Sequence, residues 1–163
     1  MKKELVSNSS SLIFIGKLWI FNLLRNIYSR ILIPEPVFDE LFKFDKPENN
    51  LIQKEIDSNF IIKQDVKNIK EVPLHIGEKA AISLCLEKNI PLLLSDDKKA
   101  RQYARSLSIK TIGVLGVIIK NLELEKINNR QAKEFVNKLI ERGYYMSPEL
   151  YSKILELMDE AKK

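Results

Sequence analysis

One stretch of the chain constrains its fold more than any other: a helix-like apolar segment at residues 78–88, followed by a leucine run at 92–94. Apolar side chains cover nearly the whole circumference of the first segment, which is typical of a buried helix. The leucine run is typical of a parallel strand covered on both faces. Glu78 opens the helix, and Asp96 and Asp97 follow the strand. The acids therefore lie at element ends, where α/β proteins place their chemistry.

The rest of the chain alternates strand-like and helix-like segments. Period-2 and short apolar runs predict strands, and apolar residues at helical spacing predict helices. The strands are predicted at 5–6, 31–33, 60–62 and 109–112, and the helices at 12–28, 37–42, 51–57, 98–107 and from 114 onward. This alternation predicts the α/β class, as a three-layer α/β/α sandwich with a central, mainly parallel sheet.

The last part of the chain is expected to be a helical hairpin. Residues 128–142 are amphipathic, Gly143 is placed to end that helix, and Ser147 with a proline after it is a good start for the next. We therefore expect a main domain over residues 1–125 and a helical extension over residues 126–163, packed on the same domain.

The amino-acid composition indicates what kind of partner and which cellular compartment to expect for this protein. A net charge of +5 and a pI near 9.2 suit a polyanionic partner such as nucleic acid. Cys85 is the only cysteine, so no internal disulfide can form, which fits a cytoplasmic protein. Cys85 and His75 are the only soft ligands, which disfavours zinc. Polar residues and Lys17 interrupt the early apolar stretch, so we expect no targeting or membrane segment.

Four polar side chains share one position relative to the predicted elements. Asn8 ends the first strand, Glu40 and Glu78 lie near helix starts, and Asp97 follows a buried strand. Strand carboxyl ends and helix amino ends gather at one edge of a parallel sheet, so these side chains are expected to converge. Converging carboxylates suit Mg²⁺ or Mn²⁺, which can activate water against a phosphodiester. Alternatively, Glu78 and Asp97 serve only as helix caps.

Four motifs carry a resemblance to a known family: VSNSSSL at 6–12, IPEPVFDEL at 33–41, GEKAAI at 77–82 and LSDDKKAR at 94–101. In this order they resemble the motifs of PIN-domain proteins, in the prokaryotic subgroup with Gly-Glu-x-x-Ala-Ile and Asp-Asp-x-x-Ala-Arg. The resemblance implies a PIN fold and a ribonuclease that depends on Mg²⁺ or Mn²⁺. It also implies kinship with the toxins of VapBC-type toxin–antitoxin pairs, with RNA as substrate and an antitoxin protein and a second copy of the chain as partners.

The resemblance also assigns roles to residues. Glu40 matches the second acid of the family, Glu78 the third and Asp97 the fourth, so these three are the candidate catalytic residues and metal ligands. Ser10 matches the small hydroxyl of the first motif. Asp96 is the auxiliary member of the aspartate pair, because the strand-then-acid pattern of the family aligns better with Asp97.

The first acid of the family is replaced here by Asn8. An amide oxygen can ligate a metal ion, but it brings no charge and cannot act as a base, so Asn8 is an auxiliary ligand. A second hypothesis follows: a catalytically degenerate PIN module that binds RNA or a protein partner without cleavage. A phospho-receiver domain is disfavoured, because it needs an acidic pair at the end of the first strand, where this chain has Ser7-Asn8.

Overall fold

The structure, a computed structural model, describes residues 1–162. Its strands are Lys3–Ser7 (β1), Tyr28–Ile33 (β2), Ile61–Lys63 (β3), Leu92–Leu94 (β4) and Lys110–Ile112 (β5). Its helices are Ser9–Lys17 (α1), Phe21–Arg25 (α2), Glu35–Leu41 (α3), Asn49–Asp57 (α4), Ile76–Lys88 (α5), Lys98–Ser106 (α6), Val114–Glu123 (α7), Asn129–Glu141 (α8) and Pro148–Lys162 (α9).

The strands form one parallel sheet in the order β3-β2-β1-β4-β5. The chain builds the sheet outward from β1 in one direction through β2 and β3, and then in the other direction through β4 and β5. The topological switch point therefore lies between β1 and β4, where parallel α/β sheets hold their ligands at the carboxyl ends of the strands. The backbone N–H of Asn8 donates to the carbonyl oxygen of Leu94 at 3.2 Å, which joins the two strand ends there.

Alternation along the strands creates a core on each face of the sheet. In β1, Leu5 belongs to the larger apolar cluster and Val6 to the smaller one. In β4, Leu94 and Leu93 divide in the same way. Successive side chains of a strand point to opposite faces, so a central strand covered on both sides must be apolar throughout. The predicted three-layer sandwich is confirmed, and its central sheet is wholly parallel.

Helix α5 fills the smaller core as the sequence predicts. Its residues from Ala80 to Cys85 are buried, and it packs on β1 and β4. Cys85 is 2% exposed, and burial raises the pKa of its thiol to about 12. Cys85 is therefore a packing residue of the core and holds its proton at neutral pH.

Helices α8 and α9 form the predicted hairpin and pack on α7. Gly143, two residues after the end of α8, has a φ of 94°, and the Ser147 hydroxyl accepts from the backbone N–H of Leu150 at 3.1 Å. Met158 is fully buried in the larger cluster. The proposed boundary at residue 125 stays a prediction, and residue 163 of the predicted extension lies outside the described residues.

The prediction of one helix over residues 12–28 is wrong. The chain leaves α1 after Lys17, passes through Trp19 with a φ of 59°, and re-enters a short helix at Phe21. The apolar side chains of this stretch still reach the core, but Trp19 is 73% exposed. The prediction failed because both short helices bury apolar residues at nearly the same spacing. The apolar pattern therefore continues through the turn in the sequence. Within residues 1–162, no helix has the length and apolar character needed to cross a membrane.

Candidate active site

The predicted site residues gather at the carboxyl edge of the sheet beside the switch point. Asn8 follows β1, and Asp96 and Asp97 follow β4. The expectation that Glu40 lies near a helix start is wrong, because α3 begins at Glu35 and is so short that Glu40 lies near its end; Glu78 lies in the first turn of α5 as expected. The packing of α3 against α5 brings the two glutamates to the same place.

Asn8 is 3% exposed, and both ends of its amide are engaged. Its Oδ1 accepts from the backbone N–H of Ser11 at 3.2 Å and caps α1. Its Nδ2 donates to Ser95 Oγ at 2.9 Å. The backbone N–H of Asp97 donates to the same hydroxyl oxygen at 3.2 Å. Asn8 therefore connects the start of α1 with the loop that carries Asp97.

Glu40 is positioned by a serine and a glycine. Ser9 Oγ donates a short hydrogen bond to Glu40 Oε2. On the other side, a Cβ atom placed on Gly77 would lie 2.4 Å from Glu40 Oε1. Glycine at this position leaves the space that the Glu40 carboxylate occupies against the first turn of α5.

Glu78 and Asp97 lie together beside a pocket of about 350 Å³. Glu78 Oε2 accepts from the backbone N–H of His75 at 3.1 Å, and Asp97 Oδ1 accepts from the backbone N–H of Ala100 at 2.7 Å. Both side chains therefore cap helices, as the alternative interpretation expects. They also interact with each other, because the charge of Asp97 raises the pKa of Glu78.

The pKa of Glu78 is raised by burial and by neighbouring carboxylates. Burial is the largest cause that raises the pKa of Glu78, and the charges of Asp97 and Glu40 raise it further. The hydrogen bond from the His75 backbone and the charge of the His75 side chain each lower this pKa by less than Asp97 raises it, and the effect of Glu40 is the smallest of all. The repulsion of a negative charge on Glu78 therefore comes mainly from Asp97, with a smaller contribution from Glu40.

Asp96 belongs to a separate set of contacts. It accepts from Ser11 Oγ at 2.7 Å, from Tyr144 OH at 2.7 Å and from the backbone N–H of Val114 at 3.1 Å. Glycine at 113 leaves room for it, since a Cβ there would lie 2.5 Å from Asp96 Oδ1. The aspartate pair therefore divides: Asp96 ties α1, α7 and the tail together, and Asp97 interacts with Glu78.

Three serines take contacts that the sequence interpretation did not assign. Ser9 binds Glu40, Ser11 binds Asp96 and Ser95 binds Asn8. Ser10, the predicted auxiliary hydroxyl, is exposed on the first turn of α1. The sequence could have indicated these contacts. Ser9 and Ser11 lie on either side of Ser10, in the first turn of a helix that begins at the site.

The donor set suits a hard divalent cation. Carboxylate and amide oxygens are the ligands that Mg²⁺ and Mn²⁺ prefer, and a cation would relieve the repulsion between Glu78 and Asp97. Within residues 1–162, no three His, Cys, Asp or Glu side chains lie close enough together to hold a metal ion as they stand. Glu40, Glu78 and Asp97 fit such an ion by chemistry and location, and Asn8 adds a neutral oxygen.

Comparison with known proteins agrees with the fold. A family model with the description PIN domain (DUF3368) matches residues 4–160, which include all the candidate site residues and nearly the whole C-terminal hairpin. No curated protein matches the sequence. The family match covers almost the entire chain, and the parallel sheet with acids at its switch point is consistent with it. The chain therefore belongs to the PIN-domain family.

Proposed function

We propose that this protein is an endoribonuclease that depends on Mg²⁺ or Mn²⁺, with Glu40, Glu78 and Asp97 as metal ligands and Asn8 as an auxiliary ligand. Membership of the PIN-domain family indicates nuclease activity and the use of divalent metal ions in general. The observation that carries the proposal is the placement of three acids at the carboxyl edge of the sheet beside the switch point: Glu78 and Asp97 line one pocket, and Glu40 lies against Gly77 at the start of α5.

The chemistry divides between the cation and the chain. When bound, the cation would supply an activated water and neutralise charge on the phosphodiester. Glu78 and Asp97 would hold it from two helix starts, and Glu40 from α3. Ser9 orients Glu40, and Gly77 leaves space for its carboxylate. Lys99 lines the pocket beside Glu78 and would bind a phosphate of the RNA.

The second candidate is a PIN module that binds RNA or a protein without cutting. Asn8 favours it, because the amide is fully engaged between Ser11 and Ser95 and offers no charge to a cation. On this reading the site would bind Mn²⁺ poorly, and RNA would be retained intact. Calorimetry with Mn²⁺ at millimolar concentration separates the two candidates.

The biological setting is also part of the proposal. The family kinship supports a toxin of a VapBC-like pair, acting in the cytoplasm, with an antitoxin protein and a second copy of the chain as partners. The neighbouring open reading frame is the direct check, since a small DNA-binding partner beside this gene would support the toxin assignment.

Mutation of the acids tests the proposed reaction. Glu78→Gln or Asp97→Asn keeps the size of the side chain and its capping bond but removes a charged ligand. Cleavage of RNA in Mn²⁺ should fall by more than about a hundredfold in each variant, because ligand loss exceeds the effect of losing an outer hydrogen bond. Asp57→Asn, at the exposed end of α4, is the matched control and should cleave like the wild type.

Circular dichroism and a thermal unfolding curve would show that each variant is folded. Unchanged cleavage in both Glu78→Gln and Asp97→Asn would refute the ligand assignment. RNA binding without cleavage by the wild type, together with no heat of Mn²⁺ binding, would favour the non-cleaving module.

A further inference from the structure

A second pocket lies at the far end of α1, away from the acidic cluster. It has a volume of about 320 Å³, and the residues that line it are Gly16, Lys17, Trp19, Pro47, Glu48 and Arg142. The lining combines one acid, two cations and an indole ring.

Glu48 is the central observation, because it is a buried acid without a partner. It is 6% exposed, and its Oε1 has no hydrogen-bond partner within residues 1–162. The ion pairs among those residues do not include it. It stands at the N-cap of α4 but makes no side-chain capping bond there. A buried carboxylate left in this state is costly, so it is suited to a ligand that brings N–H donors.

The surrounding chain is arranged around this acid. A Cβ atom on Gly16 would lie 3.1 Å from Glu48 Cβ, so glycine in the last turns of α1 lets the acid pack against the helix. Trp19 has a φ of 59° and is 73% exposed. This left-handed residue ends α1 in the common helix-terminating arrangement, in which the backbone N–H of Ile20 donates to the carbonyl oxygen of Ile15 at 3.2 Å. The turn holds the indole ring out of the core, at the edge of the pocket.

These features match the chemistry of one nucleobase. Guanine presents two adjacent N–H donors on its Watson–Crick edge, which a carboxylate can accept together. The same edge of adenine, cytosine or uracil places an acceptor beside its donor, and that acceptor would repel a carboxylate. An exposed indole provides a stacking surface, and Lys17 and Arg142 supply positive charge for the backbone. From this geometry we infer that the pocket binds a guanine base of single-stranded RNA, with Glu48 reading its edge and Trp19 stacking on it.

Helix α1 connects the pocket with the acidic cluster. Ser9 and Gly16 are two helical turns apart, so they share one face of α1, about 10 Å from each other along the axis. Ser9 binds Glu40, and Gly16 packs against Glu48. Both α3 and α4 pack on α1, and the segment that joins them exposes Phe44 with Lys43 beside the ring. A base in the pocket would thus lie a few nucleotides from the bond that is cut. This inference rests on the proposed function in taking RNA as the substrate.

Fluorescence anisotropy with labelled RNA tests the inference. The probes are short uridine-rich oligonucleotides that carry guanosine, inosine or adenosine at one central position. The Glu78→Gln protein is used at fixed salt, so that binding is measured without cleavage. Guanosine should bind about tenfold more tightly than adenosine, as expected for a paired hydrogen-bond contact, with inosine in between because it lacks one donor.

Variants then assign the preference to the pocket. Glu48→Gln should reduce the guanosine-to-adenosine ratio to about one, because an amide offers only one acceptor. Trp19→Asn, a residue that tolerates positive φ, should weaken binding of the guanosine probe about tenfold through lost stacking. Glu123→Gln on the exposed end of α7 is the matched control and should keep the full preference.

The outcomes separate this inference from the proposed function. Equal affinity for the three probes, or a preference that survives Glu48→Gln, would overturn the guanine pocket even if the protein cleaves RNA. A guanosine preference that disappears in Glu48→Gln would support the pocket even if the wild type cleaves nothing. If Glu48→Gln does not fold, the inference is still tested by the comparison of the three probes and by the Trp19→Asn variant.

Discussion

At the scale of single residues, Glu78 shows that an ionised side chain of the candidate site lowers the stability of the fold. Burial and the charges of Asp97 and Glu40 raise its pKa. In the window between its unfolded and folded pKa values, the native state binds more protons than the unfolded chain. The stability contribution of Glu78 therefore falls as pH rises through that window, and at neutral pH its charge is a net cost.

Glu78→Gln should consequently be more stable than the wild type at neutral pH in the absence of divalent metal. The glutamine oxygen can still accept from the His75 backbone, while the like-charge repulsion is lost. We expect the unfolding midpoint to rise by about 1–3 °C, as for a partly exposed charge pair.

The pH dependence provides the check on that explanation. The advantage of Glu78→Gln should shrink as pH falls below the folded-state pKa of Glu78, because the wild-type carboxyl is then neutral too. Thermal unfolding in EDTA across this pH range is the measurement. A stabilisation that does not change with pH would point to packing instead of charge.

At the scale of elements, the first turn of α5 fits against the carboxylate of a neighbouring helix. The Gly-Glu pair places Glu78 in the site, and its glycine leaves room for Glu40 from α3. A glycine inside a helix normally costs stability relative to alanine. Its presence here is explained by the position of Glu40.

Gly77→Ala should therefore separate activity from stability. The new Cβ would lie 2.4 Å from Glu40 Oε1, so the flexible end of Glu40 must move. Metal-dependent RNA cleavage should drop about 10- to 100-fold, as for the loss of an outer contact to a ligand. The gain in helix propensity, up to about 1 kcal/mol, should keep the unfolding midpoint near that of the wild type.

Ser9→Ala is the companion variant, because it frees Glu40 from its other contact. It should lower cleavage in the same range without adding any atom near α5. Full cleavage by Gly77→Ala would show that the position of Glu40 does not matter for the reaction.

The elements also show which structural features a sequence can predict. The Leu92–Leu94 strand, helix α5 and the terminal hairpin follow from local patterns, and all three are confirmed. The turn at Trp19 escaped prediction, because nothing local marks a bulky residue for positive φ. The contact of Tyr144 with Asp96 spans 48 residues and has no local signal at all.

The same division applies to the candidate site. Carboxylates at element ends could be placed on one sheet edge from the order of strands and helices alone. Their hydrogen bonds could not, because the partners Ser9, Ser11 and Ser95 depend on how separate elements pack. The pocket at Glu48 had no sequence signal, since its residues come from α1, the start of α4 and the end of α8.

At the scale of the whole molecule, a chain of net charge +5 keeps a cluster of carboxylates at the switch point of its sheet. A basic surface attracts polyanions, and an acidic edge within it requires a cation before a phosphate can approach. Divalent metal should therefore bind the native state and stabilise the entire fold, because the unfolded chain scatters these side chains.

Mn²⁺ at a hundredfold excess over its dissociation constant should add about 2.7 kcal/mol to the free energy of unfolding. For a chain of this size, that corresponds to a rise of about 5–10 °C in the unfolding midpoint. EDTA should reverse the rise. The double variant Glu78→Gln with Asp97→Asn should show none of it, and an equal rise in that variant would place the metal elsewhere.

Asn8→Asp extends the same measurement to the position where the sequence motifs predict an acid in the family. An aspartate would add a charged ligand at the end of β1, and the Ser95 hydroxyl could donate to it in place of the lost amide contact. Without metal the variant should be less stable than the wild type, because a fourth carboxylate joins the cluster. With subsaturating Mn²⁺ its midpoint should rise further than that of the wild type. If metal affinity and cleavage both increase in Asn8→Asp, the missing charge at Asn8 limits the reaction. If only the metal affinity increases, something other than Asn8 limits cleavage.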